Sequence, residues 1–205
     1  MNAVLANSLE KSMSYAEYSE LVAQLAQDNS TSGDLKTEAN INFTKLNNRR
    51  MKRWDKTIKL SREALKRIRA FKEKVTWLVI SESWCGDSAH ITPVLNKLAE
   101  SNDNINLRLV LRDEHPELMD AFLTFGARSI PKVIMIEDAS GEVINTYGPR
   151  PSEATYYVNR FKAMHGTLTP EFKEDLQHWY NDNKGQNIID DLTEKLCELA
   201  PSVCQ

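Results

Sequence analysis

Trp84-Cys85-Gly86-Asp87-Ser88 sets a cysteine directly behind a tryptophan, where an apolar strand gives way to a helix. The strand is Val75-Thr76-Trp77-Leu78-Val79-Ile80, β-rich and nearly continuously apolar, as expected where both faces are buried. Ile91, Val94, Leu95 and Leu98 then recur at helical spacing. A cysteine at such a junction meets unpaired backbone N–H groups and the positive end of a helix dipole, and both favour thiolate over thiol. Cys85 is therefore a candidate nucleophile; the competing reading is a small buried hydrophobe. Asp87 complements the dipole but opposes a thiolate at Cys85, so its two electrostatic effects partly cancel. Ser88, about one helical turn on, either donates a hydrogen bond to that thiolate or is an ordinary first-turn residue. His90 is close enough in sequence to bond Cys85 or take its proton; otherwise it faces solvent or packing.

The downstream sequence adds a second feature. Ile130-Pro131 stands directly before Val133-Ile134-Met135-Ile136, and Ser140-Gly141 separates that run from Glu142-Val143-Ile144. Together they read as a β-hairpin opened by proline, with a cis Ile130-Pro131 bond expected.

In this order of features the chain resembles the thioredoxin superfamily. The Trp-Cys-Gly motif ends a strand and opens a helix, Pro93 falls at the position of the kinking helix proline, and Ser129-Ile130-Pro131 resembles the cis-proline segment. Gly141-Glu142-Val143 and Gly148 resemble the hairpin and the glycine after it. The resemblance runs from about Val75 to Met164, with the preceding helix as a further part. It implies an α/β fold with a central mixed sheet flanked by helices. It also implies that Cys85 acts with Trp84 and Ser88, while Gly86, Asp87, Ile130, Pro131 and Gly148 form the substrate surface. Three departures stand out: Ser88 replaces the resolving cysteine of a dithiol enzyme, Val79 the usual buried aspartate, and Ser81 a frequent second tryptophan.

Composition bounds the reading. A chain of 205 residues, 41% hydrophobic and 27% charged, can bury a sizeable core. The net charge of −3 offers no general attraction to nucleic acid or acidic lipid, and neither partner is expected. The opening Met1-Asn2-Ala3-Val4-Leu5-Ala6-Asn7 does not read as a secretory signal, and no apolar run is long enough to span a membrane. Three cysteines, one of them in the motif, fit a reducing cytoplasm better than a disulfide scaffold.

Elements follow from capping and periodicity. Ser14 and Glu17 match a capping box ahead of a stripe of Tyr15, Tyr18, Leu21, Val22 and Leu25. After a polar break from Asp28 to Gly33, one long helix is expected from about Asn40 to Lys72. Its Arg49, Arg50, Lys52, Arg53 and Lys56 form a basic cluster that either contacts phosphate or an acidic partner, or is a solvated face. Ile105, Leu107, Leu109 and Leu111 alternate as a strand, expected parallel to the first through a right-handed crossover, and a helix carrying Leu118, Met119, Phe122 and Leu123 follows. Ser152 is expected to cap a helix whose Ala154, Tyr157, Val158, Phe161 and Met164 face inward. Thr169-Pro170 opens another helix, Gly185 stops it, and a last one ends before Pro201. The organisation expected is a helical extension over 1–40, a thioredoxin-like domain over 41–165 and a second helical extension over 166–205.

Cys197 and Cys204 are inert, pair with each other, or supply a remote resolving thiol to Cys85. Their spacing matches no metal pattern, and neither a metal nor an organic cofactor is expected. The leading functional expectation is one-thiol exchange at Cys85 with protein disulfides or a low-molecular-weight thiol. The alternatives are a non-catalytic binding or scaffold protein on the same fold, and a dithiol oxidoreductase using Cys197 or Cys204. Oligomeric state is left open.

Overall fold

The computed structural model describes residues 2–200. Four strands, β1 (Val75–Ser81), β2 (Ile105–Leu111), β3 (Lys132–Glu137) and β4 (Val143–Tyr147), form one mixed sheet in the order β2-β1-β3-β4. β1 pairs parallel with β2, with Val79 opposite Leu109, and antiparallel with β3, with Val79 opposite Val133. β3 and β4 form the expected antiparallel hairpin. Every residue of β1 is buried, in agreement with its nearly continuous apolar run.

Strand alternation divides the interior into two layers. Trp77, Val79, Leu109, Val133 and Met135 point to the larger layer. It is covered by α2 (Tyr15–Gln27), α3 (Glu38–Thr57), α4 (Arg62–Ala70), α5 (Gly86–Ala99), α7 (Ser152–His165), α8 (Pro170–Asn183) and α9 (Gln186–Leu199). Leu78, Ile80, Val110, Ile134 and Ile136 point to the smaller layer, closed by α1 (Ala3–Glu10) and α6 (Pro116–Ala121). Tyr18 and Val22 near one terminus, and Phe172, Tyr180 and Ile188 near the other, belong to the same core as β1.

Several elements differ from expectation. The single helix over 40–72 is two, because Ile58 leaves helical geometry and Ser61 caps a new start by accepting a hydrogen bond from Ala64 N at 3.0 Å. The first residues form α1, whose N-cap Asn2 accepts from Val4 N. Ser152 is the first residue of α7 and not its cap. Asp191 and Asn187 of α9 accept hydrogen bonds from Ser152 N and Glu153 N instead, at 2.8 and 2.9 Å. Met164 is 62% exposed, because the inward stripe of α7 ends at Phe161, which stacks on Phe172 of α8. The capping box at Ser14 and Glu17 and the cap at Thr169 are present, while α8 ends on Lys184 in left-handed geometry and Gly185 is the N-cap residue of α9.

Candidate active site

β1 delivers its C-terminal end to the start of α5, and Cys85 is the N-cap residue between them. Its Sγ lies 3.5 Å from Ser88 N, which donates to it, and donates in turn to the carbonyl of Ile130 at 3.4 Å. Ile130-Pro131 is cis, as is Gly148-Pro149. Gly148 has φ +101°, and a Cβ there would overlap the carbonyl oxygen of Pro131, so only glycine allows β4 to close over the proline segment. The sequence-selected Cys85, Ser88, Ile130 and Pro131 thus meet, with Gly148 behind them.

Cys85 is only 8% exposed and its thiol is free. Burial, then the nearby Asp87 carboxylate, push its pKa up to about 11, against the pull of Ser88 and Arg150 toward the thiolate. Ser88 Oγ is buried without a hydrogen-bond partner and is therefore available to turn to sulfur when it ionises. Trp84 is half-buried beside the thiol, with the Arg112 guanidinium 4.8 Å from its ring centre.

Asp87 does more than complement a dipole. Its carboxylate accepts from Arg150 at 2.8 Å and from the Tyr180 hydroxyl at 2.9 Å. Burial raises its pKa, opposed first by Arg150 and then by Tyr180. His90 is fully buried and does not bond the thiol. Its Nδ1 accepts from Trp54 Nε1 at 2.8 Å, which leaves Nε2–H to donate to Gln177 Oε1 at 2.9 Å. Its ring stacks on Tyr180 with centroids 4.3 Å apart, and burial holds its pKa down at about 3. His90 is therefore a neutral framework residue at pH 7, not a proton acceptor for Cys85.

The loop before Cys85 is held by a buried polar network that no sequence motif announced. Ser83 Oγ bonds Thr44 Oγ1 at 2.8 Å and accepts from Ser32 N at 2.9 Å, while Asn47 Nδ2 donates to Ser83 O at 2.8 Å. Glu82, fully buried, accepts from Ser32 Oγ and from Asp113 N. The polar break over 28–33 is thus part of the site's support. The nearest signal in the sequence was its run of small hydroxyl residues. Cys197 packs against the larger core layer, while Cys85 belongs to the smaller one. Cys204 lies outside the described residues.

Among the described residues no helix is long and apolar enough to cross a membrane, and no cluster of three or more His, Cys, Asp or Glu is placed to hold a metal ion.

A family model described as thioredoxin matches residues 35–164. Among solved structures, the chain is similar to an HIV epitope-scaffold, with TM-score 0.55 and 15% identity over 92% of this chain and 99% of that one. It is also similar to a protein of unknown function from Pseudomonas aeruginosa, with TM-score 0.50 and 16% identity over 84% of this chain and 96% of that one. At these identities the likeness speaks for the fold alone. A search of curated protein sequences found no match.

Proposed function

The chain belongs to the thioredoxin family, and from that premise we propose that it performs thiol–disulfide exchange through one cysteine, Cys85, by way of a mixed disulfide. The observation that carries this reading is the position of Cys85 Sγ between the N–H of Ser88 and the carbonyl of Ile130, at a helix start beside the proline segment. The Cys85 proton passes to solvent, and the thiolate attacks one sulfur of a disulfide. The substrate S–S bond breaks, its electron pair leaves with the departing thiolate, and a Cys85–substrate disulfide forms. An external thiol of low molecular weight, or a protein thiol, then attacks the substrate sulfur and expels Cys85, which takes up a proton. The reading places this exchange in a reducing, cytoplasmic setting, with the backbone at Ile130 pairing with an extended substrate.

The raised pKa shapes this chemistry. A thiol of high pKa is a poor leaving group, so Cys85 is slow to be expelled and the mixed disulfide is long-lived. Ser88 offers no second sulfur to shorten its life. A second reading, capture of a partner without exchange, is favoured by the same burial of Cys85. Reaction with 2-hydroxyethyl disulfide, an uncharged probe, followed by intact mass and peptide mapping, separates the two. The expected result is an adduct on Cys85 that external thiol removes, and none there in Cys85→Ser. A native protein left unmodified at Cys85, while the unfolded chain reacts, would establish capture instead.

A further inference from the structure

We propose that the groove between α3 and α8 selects the substrates of Cys85, favouring small disulfides and thiols that carry a carboxylate on an apolar body. This rests on the reading of Cys85 as an exchange centre and adds a substrate class to it. The groove encloses about 750 Å³, within the range of small-molecule sites and too small for a folded acidic partner. One wall is α3, with Arg49, Arg50 and Arg53 beside Phe43 and Leu46; α8 supplies Lys173 and Gln177 opposite.

Three features make this a site and not merely a solvated basic face. First, among the described residues none of the three arginines has a carboxylate within ion-pair distance; the groove's own Glu174 lies 3.9 Å from His178. Arg50 donates to Asn47 Oδ1 at 2.9 Å, and Arg53 to Asn181 Oδ1 at 2.5 Å, both uncharged acceptors. Burial, then repulsion from Arg53, lower the Arg50 pKa to about 10, and the Asp87 carboxylate, itself paired with Arg150, offsets this only in part. Second, Phe43 is 50% exposed at the same groove, so an apolar body and an anionic group are served together. Third, two of the groove's side chains border the residue that follows Cys85. Arg50 Nη1 would lie 3.6 Å, and Gln177 Oε1 3.7 Å, from a Cβ on Gly86, the residue after Cys85. A carboxylate on Arg50 would therefore lie beside Gly86, one residue from the thiol.

Two chromogenic aromatic disulfides test this on the full chain: 5,5′-dithiobis(2-nitrobenzoate), which carries two carboxylates, and uncharged 4,4′-dithiodipyridine. Rates at Cys85 are expressed as an anionic-to-neutral ratio and divided by the same ratio for free cysteine. The wild-type ratio is expected to exceed that of free cysteine by about tenfold, the worth of one charge-assisted contact. It should fall several-fold in Arg50→Gln and Arg53→Gln, and again in about 0.5 M salt. Lys66→Gln, an exposed cation on α4, should leave it unchanged. A ratio equal to that of free cysteine and unmoved by the arginine variants would overturn the groove and leave exchange at Cys85 standing. If neither reagent modifies Cys85, the exchange reading falls, and the unreactive 5-(methylthio)-2-nitrobenzoate decides the groove by itself. Saturable binding weakened in Arg50→Gln would uphold an acid site, and no saturable binding would remove it.

Discussion

The Cys85 thiol should behave as a reluctant acid whose reluctance is set in part by Asp87. With a pKa of about 11 against an ordinary 9.0, its thiolate fraction at pH 7 is about 100-fold below that of an ordinary cysteine, equivalent to about 2.7 kcal/mol. Intrinsic nucleophilicity rises with thiol pKa and returns about tenfold of that, so exchange at neutral pH should run about tenfold slower than for a simple thiol. The perturbation is Asp87→Asn, which removes the negative charge near sulfur while an amide can still accept from Tyr180. Arg150, released from its 2.8 Å ion pair, then favours the thiolate without opposition. The pKa should fall toward the ordinary range, and about tenfold more thiolate at pH 7 corresponds to about 1.4 kcal/mol. The assay is iodoacetamide alkylation at Cys85, followed by peptide mapping from pH 6 to 10. A thiol with the higher pKa in the folded state binds more protons there, so stability is intact below pH 9 and declines between about 9 and 11. Rates are therefore read below that range's upper end. In wild type they should climb about tenfold per pH unit through pH 10 without levelling. Levelling at or below pH 9, or slower alkylation in Asp87→Asn, would refute the account of Asp87 as the charge that keeps the thiol protonated.

His90 supplies a test at acid pH. Its pKa of about 3 lies below the ordinary 6.5, so its stabilisation is complete above pH 6.5 and drains as pH falls toward 3. Urea denaturation should show wild type losing about 3 kcal/mol more than His90→Gln between pH 7 and pH 4, and parallel curves would exclude the buried neutral ring as the cause. Gly148→Ala should cost at least about 2 kcal/mol, from left-handed strain plus overlap with the Pro131 carbonyl. A melting temperature unchanged by that substitution would show that the backbone there can relax. Phe125 is fully exposed at φ +50°, so Phe125→Asn should stabilise by up to about 1 kcal/mol, read as a rise in the denaturation midpoint; a fall would mean that the ring makes contacts worth more than the strain.

Much of the fold was present in local pattern. The apolar run from Val75, the alternation from Ile105 and the proline-led hairpin from Ile130 specify strands because burial on a pleated sheet imposes their periods. The motif placed Cys85 at a helix start, since the change of period falls there. Periodicity is less informative about breaks: the long helix drawn over 40–72 kept a plausible face across Ile58, and only the cap at Ser61 divides it.

The sequence by itself determined the order of the strands, the cysteine at a helix start and the proline beside it. Tertiary structure alone decided the environment of that cysteine. Asp87 accepts from Tyr180, 93 positions away, His90 donates to Gln177, 87 away, and Glu82 accepts from Ser32, 50 away. Helix α8, within the C-terminal extension expected from the sequence, thus supports α5 and forms one wall of the basic groove. A hydrophobic period states which face of a segment is buried. It does not state which distant segment covers that face, and at this site burial by those segments, with the hydrogen bonds they bring, sets the charge of carboxylate and imidazole.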